Sequence, residues 1–143
     1  MGTISSANAI FQISVETVIP IPVLLQGFSA DDIYSVNPQE SAETLMGVDG
    51  ILSGGFVFVP VKQEISFQAD SLSNLIFQQW YQAQVAAKDV FQCQAVVWLP
   101  SIGEKWSMNN GFMTTFHPMP DARKVLQPLR YAITWESISP AVI

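Results

Sequence analysis

The stretch that most constrains this chain is residues 54–84, GGFVFVPVKQEISFQADSLSNLIFQQWYQAQ. Two glycines lead into a continuous apolar run at 56–59, which Pro60 ends. Residues 61–67 then alternate, with Val61, Gln63, Ile65 and Phe67 opposite Lys62, Glu64 and Ser66. That period of two is the signature of a half-buried strand. A helix is expected over about 70–87, because Asp70 and Ser71 are both good N-cap residues. At ~100° per residue, Leu72, Leu75, Ile76, Trp80, Ala83, Ala86 and Ala87 share one stripe, interrupted by Gln79. Phe77, Tyr81 and Val85 form a second stripe nearly opposite, at i, i+4 and i+8. A helix with one apolar face needs one partner surface, and this one needs two. The second partner is either another part of the same chain or a neighbouring subunit.

Composition favours the neighbour. Charged residues make up only 13 % of the chain, where a soluble domain carries about 25 %. Apolar residues reach 49 % and mean hydropathy is +0.28. A membrane does not account for this, since the best apolar run, residues 18–25, is too short to span and holds Pro20 and Pro22. Surface buried in an assembly does account for it, which makes Phe77, Tyr81 and Val85 candidate subunit-interface residues. The length of 143 residues suits one domain with its own core. The single cysteine, Cys93, excludes an internal disulfide and suits assembly in a reducing compartment. No basic region followed by a long apolar run opens the chain, so no secretory signal is expected. Net charge is −6. No Lys or Arg precedes Lys62, whereas Glu16, Asp31, Asp32, Glu40, Glu43 and Asp49 all do. Such an acidic segment repels nucleic acid rather than gripping it.

Elsewhere the pattern is mostly strand. Phe11, Ile13 and Val15 alternate with Gln12, Ser14 and Glu16. Pro20 and Pro22 make residues 21–26 an edge strand or one that begins after a kink. Residues 27–55 read as a long loop with a short helical turn near 41–46; loops of that length usually have a function. Its apolar members Leu45, Met46, Ile51 and Leu52 either pin it to its own domain or dock on another subunit. After Asp89 the period of two returns, with Phe91, Cys93, Ala95, Val97 and Leu99 on one side and Pro100 as the stop. Asn110-Gly111 is a favoured turn pair and predicts a hairpin with arms at 105–108 and 112–117. Pro118, Pro120 and Pro128 bracket a loop carrying Arg123 and Lys124. A final strand at 129–138 sets Tyr131, Ile133 and Trp135 on one face. Six to eight strands, one main helix and no βαβ alternation predict a mainly β fold, an antiparallel sandwich or barrel with one flanking helix.

Catalytic groups are scarce. Cys93 and His117 can be drawn as a nucleophile and its base, but Cys93 alternates with apolar residues as a small core side chain does. One His and one Cys make no zinc ligand set. Asp31, Asp32 and Asn37 lack calcium-loop spacing. Gly54-Gly55 precedes a strand rather than opening a helix, so no phosphate loop is expected. Basic residues interleaved with aromatics are absent. The reading is therefore a non-enzyme with no catalytic residue, no metal and no cofactor.

Gly47-Val48-Asp49-Gly50, then Ile65-Ser66-Phe67-Gln68-Ala69-Asp70-Ser71, then an aromatic-rich helix, resembles the tail tube protein of contractile-tailed bacteriophages. The C-terminal half resembles it too, in Gly111-Phe112, in Arg123-Lys124 and in the closing strand at 130–138. The resemblance covers nearly the whole chain and implies a single tube-forming β domain over 1–143. It implies that six copies join sheet edges into a ring, that rings stack into a hollow tube, and that residues 27–55 reach the adjacent ring. A contractile sheath would enclose the tube, a tape-measure protein would fill it during assembly, and baseplate and terminator proteins would meet its ends. DNA would pass through without specific binding, with Glu16 and Glu64 as candidate lumen-facing residues. The expected location is the virion tail, after assembly in the host cytoplasm and with no membrane contact. Two alternatives stay open, the inner tube of a bacterial contractile injection or secretion system and a ligand-binding β-barrel.

Overall fold

The computed structural model describes residues 9–29 and 33–141; Asp31 and Asp32 lie outside the described residues. The strands are β1 (Ile10–Val15), β2 (Ile19–Leu24), β3 (Tyr34–Val36), β4 (Ala42–Met46), β5 (Leu52–Phe56), β6 (Val61–Phe67), β7 (Cys93–Leu99), β8 (Glu104–Thr115) and β9 (Leu129–Ala141). The helix α1 spans Ser73–Ala87. Seven strands form one sheet in the order β2-β1-β7-β8-β9-β6-β3, and β4 pairs with β5 apart from it. Every pairing is antiparallel. The sheet stays open, with β2 and β3 at its edges.

The alternation seen in the sequence decides which face is covered. Phe11, Ile13 and Val15 of β1, Val61, Ile65 and Phe67 of β6, Cys93, Ala95 and Val97 of β7, and Tyr131, Ile133 and Trp135 of β9 are all buried. Register brings them into rows, Ile13 opposite Ala95, Ile65 opposite Tyr131 and Val61 opposite Trp135. Each fully buried large apolar side chain of this kind contributes roughly 1.5–3 kcal/mol. Gln63 shares the buried face because its Oε1 accepts the indole N–H of Trp135 at 3.0 Å. Pairing the two polar groups removes the desolvation cost that either would carry alone.

Two expectations change. The predicted hairpin at Asn110-Gly111 is a single continuous strand, β8. Asn110 does take a left-handed φ of 51°, but it makes a bulge, because Cys93 pairs with Gly111 and Ala95 with Met108. Its side chain and backbone bond Gln94 across the bulge, and its amide also donates to Glu136. Gly111 is needed for another reason. A Cβ there would lie 2.4 Å from Cε3 of the buried Trp135, so the ring packs directly on bare backbone.

Residues 27–55 are the second change. They hold β3 and the β4–β5 hairpin, so the expected helical turn near 41–46 is a strand. Gly54 and Gly55 lie inside β5 rather than before a strand, and β5 ends at Phe56. The reason is burial. Both strands of this hairpin are exposed along their whole length, so no period of two is imposed on them. The edge strand expected around Pro20 and Pro22 is β2. Leu25 donates its N–H to Phe11, so by alternation the prolines fall on the side away from β1, where a missing donor breaks no ladder bond.

Candidate assembly surfaces

The helix packs about 100° away from the phase that apolar periodicity assigns it. Its buried residues are Ser73, Asn74, Phe77 and Trp80. Ser73 and Asn74 go inward because neighbours satisfy their polar atoms. The Ser73 hydroxyl accepts the Gln26 N–H at 2.7 Å, and Asn74 donates to Gln68 and accepts the Tyr131 hydroxyl at 3.1 Å. Leu72 stands at the N-cap with no side-chain bond, while Ser71 Oγ accepts the Ser73 N–H. Asp70 and Ser71 are thus not the cap, although Ser71 serves the first turn.

This phase corrects the candidate stripe. Phe77 is fully buried, stacked on Tyr131 with centroids 4.4 Å apart and 9° between planes. It belongs to the chain's own core and offers nothing to a neighbour. Tyr81 lies on Phe116 at 4.2 Å and keeps its outer side exposed, and Val85 is 54 % exposed. Leu72 and Leu75, expected inside, face outward.

The β4–β5 arm exposes a run of apolar side chains. Leu45, Met46, Ile51 and Leu52 are all more than half exposed, and Phe56 and Phe58 reach 72 % and 90 %. Register sets Met46 opposite Leu52 and Ala42 opposite Phe56, so one face carries all four and the other carries Glu43, Leu45 and Ser53. The turn is held locally: Gly47 bonds Ile51, Asp49 Oδ1 accepts the Ile51 N–H at 3.1 Å, and Gly50 has φ 82°. At its base Val57 donates to Ser41 and Gln39 to Val59. The arm is therefore shaped, and its apolar side chains are left without cover.

Further charged groups sit on the other surfaces. Glu64, on the uncovered face of β6, meets Arg130 at 3.1 Å and Lys62 at 3.9 Å, so its charge is offset. Glu16 is exposed just past β1. A cleft of about 600 Å³ opens at the far end of β6, between Gln68, Ala69 and Asp70 on one side and Val125, Leu126 and Pro128 on the other. Arg123 and Lys124 stand exposed on the same loop. Cys93 is buried beneath the sheet, and desolvation pushes its thiol well above the ordinary range. His117 Nδ1 accepts the Arg130 N–H. Among the described residues no three His, Cys, Asp or Glu side chains converge as metal ligands, and no helix is long and apolar enough to cross a membrane.

A family model described as tail fiber protein gp32 matches residues 2–139. The chain belongs to the tail fiber protein gp32 family. This family member matches no curated protein in sequence. Among solved structures it resembles a chain of the anti-feeding prophage baseplate, at 11 % identity and TM-score 0.61, covering 99 % of this chain and 97 % of that one. It resembles a chain of the anti-feeding prophage tube-terminating cap at 10 % identity and TM-score 0.63, covering 100 % and 93 %. It also resembles a chain of the sheath–tube complex of an extracellular contractile injection system, PVC, at 12 % identity and TM-score 0.60, covering 93 % and 88 %. At these identities the likeness is one of fold, and it extends over the whole gp32-family domain. The resemblance to contractile-tail components seen in the sequence therefore holds, and the gp32-family chain is a structural component of tail type.

Proposed function

We propose that this chain is the subunit of a hollow tail tube, built of stacked hexameric rings inside a contractile sheath, that conducts the genome into the host. The observation that carries the proposal is the β4–β5 arm, a well-formed hairpin with six large apolar side chains exposed. On a free monomer such a surface is an aggregation hazard, and in an assembly it is an interface. The fold shared with a chain of a sheath–tube complex supports the setting. Subunits would join laterally at the open edges of the sheet, which closes a ring when the contact rotates back on itself. Tyr81, Val85, Leu45, Met46, Ile51 and Leu52 remain the interface candidates. Glu16 remains a lumen candidate, and Glu64 is a weaker one because Arg130 and Lys62 offset it. Sheath, tape-measure, baseplate and terminator proteins are the expected partners, and no enzymatic role is assigned. Sedimentation over a wide concentration range tests the proposal: a multi-subunit species should grow in, and a single 15.8 kDa species throughout would refute it.

A second reading is favoured by the family description and by the baseplate and cap likenesses. In it the chain forms a ring at one end of the tube rather than its body. Product length separates the two, since a tube subunit gives long stacks and an end component gives single rings or short stacks. A bacterial injection-system origin predicts the same particle. The ligand-binding barrel is disfavoured because the sheet is open and Phe11, Trp80, Tyr131 and Trp135 fill its covered side.

A further inference from the structure

We propose that the receptor for the β4–β5 arm is the cleft at the opposite end of β6 on a second copy of this chain, so that copies stack head to tail. The inference rests on the tube reading above and adds the identity of the surface that receives the arm. Three observations carry it. The first is position. β5 leads through residues 57–60 into the start of β6, while Gln68, Ala69 and Asp70 of the cleft follow its end. Seven strand residues at about 3.3 Å each separate the base of the arm from the cleft by about 20 Å, and within one copy the arm's side chains stay exposed and none lines the cleft. Two different surfaces at opposite ends of one strand make a heterologous contact, which propagates instead of closing as a dimer.

The second observation is shape and polarity. One face of the arm offers Met46, Leu52 and Phe56, with Phe58 against Phe56 at its base. The cleft wall offers Val125, Leu126 and Pro128, with Val125 at 71 % and Leu126 at 56 % exposed. About 600 Å³ accommodates side chains of this size.

The third is charge. The arm carries Glu40 at its base, Asp49 in its turn and Glu43 on its other face, and no basic residue. The cleft loop carries Arg123 and Lys124, the one adjacent basic pair in the chain. Among the described residues none of these five is in an ion pair. Asp70 also lines the cleft, and Asp121, earlier on the same loop, faces His117 at 3.8 Å. Basic groups on the outer loop therefore face the arm, and Asp70 marks the side of the cleft that the acids of the arm avoid. Complementary exposed charges of this kind fix register and orientation more than they add affinity.

The test uses the full chain carrying Phe56→Cys and Leu126→Cys together; the native Cys93 is buried and does not compete. Mild oxidation of assembled protein should give a ladder of covalent oligomers on a non-reducing gel. A charge swap runs in parallel. Glu43→Lys with Asp49→Lys should abolish stacking, as should Arg123→Glu with Lys124→Glu, and the four changes together should restore it. Stacks without a ladder, or stacks indifferent to both charge sets, overturn the receptor assignment and leave the tube reading standing. Wild-type protein that forms no stack overturns both.

Discussion

Phe77→Ala separates the core from the assembly surface most sharply. The ring is fully buried, stacked on Tyr131 at 4.4 Å, and tilted against Phe67 at 5.5 Å and Trp80 at 5.8 Å. Removing it deletes the stacked contact between α1 and Tyr131 of β9. The three bulky aromatics around it cannot collapse into the space without leaving their rotamers, so the cavity persists. Truncations of this kind cost about 3–5 kcal/mol. For a domain of this size, at roughly 3–4 °C per kcal/mol, that lowers Tm by on the order of 10–20 °C. Val85→Ser, one turn beyond Tyr81 and 54 % exposed, should stay within about 0.5 kcal/mol. Both are measured by thermal unfolding on dilute, unassembled protein, since assembly would add its own linkage. A Phe77→Ala protein within about 1 kcal/mol of wild type, folded but unable to assemble, would refute the reasoning. It would return Phe77 to a subunit interface.

Other expected outcomes follow from the same contacts. Gly111→Ala drives a methyl into Trp135, whose indole is tied to Gln63; a loss of about 2–4 kcal/mol is expected in denaturant unfolding, and an unchanged midpoint would contradict the packing. Burial raises Tyr34 and Cys93, and pushes Tyr131 up to about 12. The folded state thus holds these protons more tightly than the unfolded chain does. Stability should be level below about pH 8, begin to fall as pH passes 9.0, the ordinary Cys93 value, and fall further from 10.0 toward about 12, where Tyr131 titrates; a loss on the acid side alone would not fit. Thiol reagents should label native Cys93 slowly and unfolded Cys93 fast, and equal rates would remove it from the core. Replacing residues 42–56 with a short Gly/Ser linker should leave the far-UV spectrum of the sheet and helix intact while stacking is lost. A molten product would show that the arm supports the fold.

The buried face of the sheet was legible in the sequence because burial imposes a period of two. Phe11, Ile13, Val15, Cys93, Ala95, Val97, Tyr131, Ile133 and Trp135 all announce themselves that way. The errors arise where that pressure is absent or disguised. Ala42–Met46 and Leu52–Phe56 bury neither face, so nothing in their pattern says strand, and only Gly47-Val48-Asp49-Gly50 hints at the turn. Asn110-Gly111 carries the chemistry of a turn and spends it on a bulge under Trp135. That outcome depends on β9, which is distant in sequence. The helix was misphased because periodicity counts Ser73 and Asn74 as outward polar residues. Their partners, Gln26, Gln68 and Tyr131, come from other segments. The apolar residues of the arm were legible as candidates, whereas the cleft draws on three separate segments, at Ser29, at 68–70 and at 125–128.

Direct electron microscopy of the purified protein tests the central claim, that this chain is made to assemble with itself. The account predicts rings with a central hole, and stacks of them when concentration rises. Images of nothing but compact particles of monomer size, at concentrations where the exposed arm should find a partner, would contradict it.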